Sequence, residues 1–131
     1  MIRQAIALAA LAFFASPASA RPAACAALDG AVIVAEDGTY LGKIADAYDS
    51  KSIFNKYGTY GSAYSGKSVW NDYGPYGSEY SNKSARSKYT STPPKLIVDG
   101  KVVGFLSANK FKSGAINPLI LGLACYDYEP D

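Results

Sequence analysis

The chain has no histidine, and its only methionine is Met1. Without imidazole, the Ser-His-Asp triad, the Cys-His pair and metal sites of the usual His or Cys type are excluded within this chain. Cysteine is nearly as scarce, with Cys25 and Cys125 its only two residues. No Gly-x-Gly-x-x-Gly fingerprint for a dinucleotide occurs. Charge of one sign is also missing: 13 basic and 11 acidic side chains leave a net charge of +2. The lysines stand singly rather than in runs, so the field is too weak to argue for nucleic acid or an anionic membrane. Long apolar runs are absent as well. The longest, Ala5 to Ala15, falls short of the roughly 20 apolar residues that span a bilayer.

That short run reads instead as the centre of a secretory signal peptide over residues 1–20. Arg3 precedes it, and Ser16-Pro-Ala-Ser-Ala20 follows with small residues at Ala18 and Ala20, the pattern of a cleavage site. The sequence therefore predicts an exported protein, periplasmic or secreted, that begins near Arg21 and has no membrane span after cleavage. A lipid anchor on Cys25 fits less well, because Pro22-Ala23-Ala24 stand where a lipobox carries a leucine-like residue. In an oxidising compartment Cys25 and Cys125 are expected to pair. In the chain-entropy account, a bridge closing nearly the whole domain adds about 4–5 kcal/mol. Residues 21–131 suffice for one small domain with a single modest core.

What the chain does have is tyrosine and glycine in a tandem array. Ser52-Ile-Phe-Asn-Lys-Tyr-Gly-Thr-Tyr-Gly-Ser-Ala-Tyr-Ser-Gly-Lys67 and Ser68-Val-Trp-Asn-Asp-Tyr-Gly-Pro-Tyr-Gly-Ser-Glu-Tyr-Ser-Asn-Lys83 match at ten of sixteen positions. The same step relates Tyr48, Tyr64 and Tyr80; Lys51, Lys67 and Lys83; and Tyr57, Tyr73 and Tyr89, so the array covers about 47–89. In each unit a serine precedes the segments Ile53–Tyr57, Val69–Tyr73 and Ala85–Tyr89, and Gly58 and Gly74 follow the first two. Serine suits an N-cap and glycine a C-terminal cap, so each segment is expected to form one short helical turn. The Tyr-Gly-Ser-x-Tyr-Ser stretches between them read as return loops. Such turns are too short to stand alone, and fewer than three full units do not make a free solenoid. The array must therefore pack on a scaffold.

The scaffold is legible on either side of it. Residues 31–44 and 95–107 are runs of apolar and β-branched residues around Asp37-Gly38 and Asp99-Gly100, a strong hairpin signal. Two-residue turns would set Val34 opposite Leu41 and Leu96 opposite Val103. They would also put Val102, Gly104 and Leu106 on one face. The matched glycines Gly42 and Gly104 predict a bulge or the close approach of another segment, most economically the repeat. Paired hairpins give a four-stranded antiparallel sheet. The fold class expected is mainly β: a small antiparallel sheet from two Asp-Gly hairpins, with the repeat loop packed on it. In the C-terminal segment 115–126, Asn117-Pro118 could open a short helix, and Leu119–Cys125 reads equally well as a buried strand.

For chemistry, the carboxylates near the array are Asp46, Asp49, Asp72 and Glu79. A hydrolase of the two-carboxylate type needs a matched pair, and no spacing here singles one out. A calcium loop of the Asp-x-Asp-x-Asp-Gly kind is lacking. The tyrosines are the better candidates, since phenol faces with hydroxyl tips suit sugar rings, extended peptides or a protein surface. The predicted ligand-binding set is Tyr57, Tyr60, Tyr64, Trp70, Tyr73, Tyr76 and Tyr80. Filling space over the sheet is the competing role for the same rings. Trp70 aligns with Phe54 and Arg86, apolar twice and then charged, which describes a core-facing position reaching the rim. The Lys51, Lys67 and Lys83 row reads first as a solvated face. No cofactor or metal ion is expected.

The Asn-x-Tyr-Gly-x-Tyr-Gly-Ser-x-Tyr-Ser pattern, followed by Pro93-Pro94 and an Asp-Gly strand, resembles a group of small exported bacterial proteins of uncharacterised activity. The resemblance covers residue 37 to about 117 and brings no catalytic residues with it. A looser similarity links the units to aromatic-glycine repeats that bind cell walls. The expected function is a non-enzymatic binding module of the envelope or extracellular space, contacting carbohydrate or peptidoglycan through the repeat. The alternatives are a structural envelope protein touching protein neighbours and, behind it, a small carboxylate-dependent hydrolase.

Overall fold

A computed structural model describes residues 21–130, so the signal peptide expected over residues 1–20 lies outside the described part. The elements in chain order are α1 (Ala23–Leu28), β1 (Val32–Val34), β2 (Tyr40–Lys43), β3 (Lys95–Val98), β4 (Lys101–Leu106), β5 (Ala115–Ile116) and α2 (Pro118–Cys125). The strands form one sheet in the order β2-β1-β3-β4-β5. The two Asp-Gly hairpins meet through antiparallel β1 and β3, and β5 adds a parallel edge beside β4. The domain is thus a small, mainly β fold on a mixed sheet.

Register differs from the two-residue expectation in both hairpins. Val34 pairs with Tyr40, not Leu41. Ala35 closes the turn by donating to the Thr39 carbonyl, with Gly38 at φ +87°, so three residues turn the chain instead of two. In the second hairpin, Asp99 and Gly100 do form a two-residue turn, both at positive φ, with Val98 opposite Lys101. A bulge then intervenes, and Leu96 pairs with Gly104 rather than Val103. For the same reason Val102 does not share the burial of Leu106: Val102 is half-exposed, while Leu106 turns fully inward.

One face of the sheet supplies Ile33, Leu41, Leu96 and Leu106 to the core, and the repeat supplies Ile53, Phe54, Val69, Trp70 and Ala85. Both ends of the array are tied to strands. Lys43 donates to the Lys51 carbonyl and accepts from Ile53, while Ala108, just past β4, donates to Ala85. Gly42 shows why one scaffold glycine is needed. Its φ is +95°, and a Cβ there would lie 2.5 Å from the Lys51 carbonyl oxygen and 2.7 Å from Tyr60 Cβ. At Gly104 the close neighbour is instead the Gly114 carbonyl, 2.9 Å from an added Cβ, in the β4–β5 connection.

The C-terminal segment is a helix. Asn117 Oδ1 accepts from the N–H groups of Leu119 and Ile120, and Pro118 occupies the first helical position. Cys25 and Cys125 form the expected disulfide, with Cα atoms 5.5 Å apart, and thereby fasten α1 to α2. The chain beyond α2 lies over the aromatic column of the repeat: Tyr126 stacks on Phe54 at 5.0 Å and Tyr128 on Trp70 at 4.8 Å.

Candidate functional site

The repeat is a succession of three-residue turns rather than helical turns. From Asp46 to Ser84, backbone N–H groups donate three residues back, as in Asn55 to Ser52, Gly58 to Asn55, Ser68 to Ser65 and Asn71 to Ser68. Where the first residue of a turn is serine or asparagine, its side chain takes part as well. Ser52, Asn55, Ser62, Ser65, Ser68 and Asn71 each accept from the N–H two residues on. A short polar side chain that captures a nearby N–H offers the backbone an alternative to the helix, so each turn closes and the next begins. Gly61 and Gly77 lengthen one turn in each unit. A Cβ at Gly61 would run into the Asn55 carbonyl, and one at Gly77 into that of Asn71.

This regular turning sorts the third residues of the turns into inward and outward sets. Phe54 and Trp70 point into the core, and Trp70 Nε1 donates to the Ile53 carbonyl at 2.6 Å. Arg86, the third member, sits over the Trp70 ring and pairs with Asp72 at the rim. The outward set comprises Tyr48, Tyr64 and Tyr80 in one row and Tyr57, Tyr73 and Tyr89 in another, all between 86% and 99% exposed. Ser52, Ser68 and Ser84 lie beneath with no exposed surface.

Of the residues predicted from sequence to contact a ligand, Tyr57, Tyr64, Tyr73 and Tyr80 lie on this outer surface. Trp70 and Tyr76 do not, being 7% and 8% exposed. Tyr76 reaches across to the first hairpin and donates from its hydroxyl to Asp37 at 2.8 Å. Tyr60 is half-buried and meets Tyr40 edge-on at 5.2 Å. Tyr76 and Tyr60 hold the repeat on the first hairpin, while Trp70 packs between Phe54 and Tyr128. Tyr48 and Tyr89 complete the outer rows, and the signal for both was their place in the same sixteen-residue step.

Two clefts open beside the outer rows. One, of about 370 Å³, lies between Tyr48 and Tyr57 and is floored by Phe54, Tyr126 and Tyr128. The other, of about 530 Å³, lies between Tyr73 and Tyr80, with Asp72, Arg86, Glu79 and Lys88 among its lining groups. The start of α2, at Asn117, Pro118 and Leu119, closes its side. Both clefts carry charge of both signs, the smaller one through Lys56, Asp127 and Glu129, and the smaller one is aromatic at its base.

Several charged groups near the array have structural partners. Asp46 accepts from the Tyr48 N–H. Asp49 accepts from the Lys51 N–H and pairs with Lys43 at 2.9 Å. These contacts, the Lys51 N–H first, lower the Asp49 carboxyl, and Asp49 in turn raises the Lys43 ammonium. Asp37 is held well below the usual carboxylate range, chiefly by hydrogen bonds from Thr39 and then Tyr76. Lys83 joins it at 3.4 Å, which removes one member of the lysine row from free solution. The Tyr126 phenol is pushed up to about 12 by burial and by Asp29, whose Oδ1 accepts its proton at 2.5 Å.

One further sequence match is settled by geometry. Gly61-Ser-Ala-Tyr-Ser-Gly-Lys67-Ser68 fits the Gly-x-x-x-x-Gly-Lys-Ser/Thr pattern of phosphate-binding loops. Such a loop needs a strand before it, a helix after it and free N–H groups to cradle phosphate. Here turns flank it on both sides. The N–H groups of Tyr64, Ser65, Lys67 and Ser68 are already bonded within the turns, and Ser68 is buried. The match is a by-product of the repeat.

Among the described residues, no group of three or more His, Cys, Asp or Glu side chains is placed to hold a metal ion. No described helix is long and apolar enough to cross a membrane. The arrangement is that of a small mixed-sheet domain displaying an ordered tyrosine surface. In comparisons with known proteins the chain matches no family model, no curated protein and no solved structure.

Proposed function

We propose that this protein is an exported, non-catalytic binding module whose tyrosine rows hold envelope carbohydrate, with peptidoglycan as the leading ligand. The observation that carries the reading is the near-complete exposure of six repeat tyrosines while the inward positions of the same units are buried. Packing accounts for Trp70, Tyr76 and Tyr60 but leaves the outer tyrosines without a role inside the domain. Aromatic side chains held in fixed rows on rigid turns present flat faces at low entropic cost, and such apolar surface on a small domain marks an interaction site. The disulfide agrees with an oxidising destination.

The test is co-sedimentation of the oxidised protein with insoluble peptidoglycan and polysaccharides, beside a Tyr57→Ala/Tyr73→Ala variant. The expected result is retention of the wild type and loss of retention in a variant with unchanged thermal stability. Equal retention of both would remove the tyrosine rows from the contact. A structural role among envelope proteins has its own support in the uncharged helix α2, where Ile120 and Leu123 are more than half exposed. Retention by protein fractions of the envelope but by no glycan selects that reading.

A further inference from the structure

The lining of the larger cleft bears on which sugar the module would take. This inference rests on the carbohydrate reading above. Tyr73 and Tyr80 both line the larger cleft. Asp72 is committed to Arg86, so that pair forms a fixed polar base. Glu79 and Lys88 also line the cleft and are exposed, and neither forms an ion pair or side-chain hydrogen bond with another described residue. Pro118 and Leu119, from the start of α2, add a small apolar wall.

We infer that this cleft is a subsite for an N-acylated amino sugar that carries a carboxylate, the kind of unit found in peptidoglycan glycan strands. Each part of such a unit has a counterpart. The ring faces meet Tyr73 and Tyr80, the carboxylate meets the Lys88 ammonium, the amide N–H donates to Glu79, and the acyl methyl rests on Leu119. A neutral hexose would leave the lysine unmatched and the apolar wall empty. The smaller cleft also carries charge of both signs, in Lys56, Asp127 and Glu129, but its lysine is engaged over the Tyr128 ring, 5.5 Å from the centroid, whereas Lys88 is open to a ligand carboxylate. The carboxylated subsite is built jointly by the repeat and α2, which the Cys25–Cys125 bridge fastens to α1.

Calorimetric titration of the exported, oxidised protein tests this with two probes. One is a disaccharide of N-acetylglucosamine and N-acetylmuramic acid, which carries a carboxylate; the other is the N-acetylglucosamine disaccharide, which does not. The wild type should prefer the carboxylated probe by about tenfold, the scale of one charge-assisted hydrogen bond. Lys88→Gln should erase that preference by weakening the carboxylated probe alone, Tyr73→Ala should weaken both, and Tyr57→Ala should leave the preference intact. Equal wild-type affinity for the two probes, or a Lys88→Gln variant that keeps the preference, overturns the assignment even while the protein still sediments with peptidoglycan. Loss of the preference in Tyr57→Ala moves the site to the other cleft and overturns it too. If neither probe binds and no glycan retains the protein, the carbohydrate reading itself falls.

Discussion

The sheet and the repeat meet the same physical demand in opposite ways. In the sheet, backbone groups are satisfied by partners far away in sequence, as where Val32 of β1 pairs with Ile97 of β3. In the repeat, they are satisfied two and three residues away, by serine and asparagine side chains and by successive carbonyls. The sheet owes its place to apolar burial, whereas the repeat is locally self-sufficient in hydrogen bonds and depends on the core only through one inward side chain in several. A surface built the second way can spend its remaining positions on display. That is why tyrosines three residues removed from buried Phe54 and Trp70 stand almost wholly in solvent.

The contrast is broken most severely where the two regions share the core. Trp70→Ala removes a buried ring that touches Phe54 and Tyr128 and donates to the Ile53 carbonyl. It should cost about 3–5 kcal/mol in denaturant unfolding. Tyr73→Ala, the outward counterpart, should stay within about 0.5 kcal/mol of wild type. Comparable losses from both would show that the outer rows are packing after all.

Opening the bridge by Cys25→Ser/Cys125→Ser should lower stability by about 2–5 kcal/mol. Tyr126 and Tyr128 follow directly on α2, so the variant should also loosen their stacking on the repeat, read as faster amide exchange at Phe54 and Trp70. Next in size is Ser68→Ala. It strips the acceptor from the Trp70 N–H at a fully buried site and should cost about 1–3 kcal/mol. Ser65→Ala, one turn earlier and partly exposed, should cost less, because water can replace the lost acceptor for Lys67. An equal cost at both serines would mean that burial does not set the strength of these turns.

The smallest effect expected is at the link between hairpin and repeat. The folded state holds the Asp37 carboxyl below its ordinary value of 3.8, so the unfolded chain binds the proton first as pH falls. The contribution is complete above that ordinary value and is lost as the pH drops toward the lower folded one. Acid unfolding followed between pH 5 and pH 2 should therefore show a shallower pH dependence in Asp37→Asn than in wild type. Identical slopes would place the acid sensitivity elsewhere, Asp49 being the next carboxylate lowered by its contacts.

Much of this architecture was legible in the chain. Both Asp-Gly turns lie between paired strands, the cysteines are joined, and the Phe54, Trp70, Arg86 column runs from core to rim as its apolar, apolar, charged order implies. The register was not legible, because a three-residue turn at Gly38 shifts the first hairpin by one residue at Val34, and a bulge beside Val103 shifts the second from Leu96 onward. Neither event changes the apolar pattern by which strands are recognised. The parallel strand β5 was missed for a similar reason: two residues carry no period. Within the expected ligand-binding set, Tyr57, Tyr64, Tyr73 and Tyr80 are exposed, but Tyr60 and Tyr76 look the same in sequence and turn toward the sheet.

Sequence alone determined the local geometry of this protein. A serine, asparagine or aspartate at the head of most triplets captures the N–H two residues on, and that short-range bond needs no partner from elsewhere. The chain also determined that six tyrosines would recur in step with those turns. Which tyrosines would face solvent was decided only in three dimensions. That outcome depends on where Lys43 and Ala108 anchor the ends of the array, on the extra residue at Gly61 and Gly77, and on α2 and its tail covering one side. Exposure is a property of surfaces brought together across the chain, and no short-range pattern carries that information.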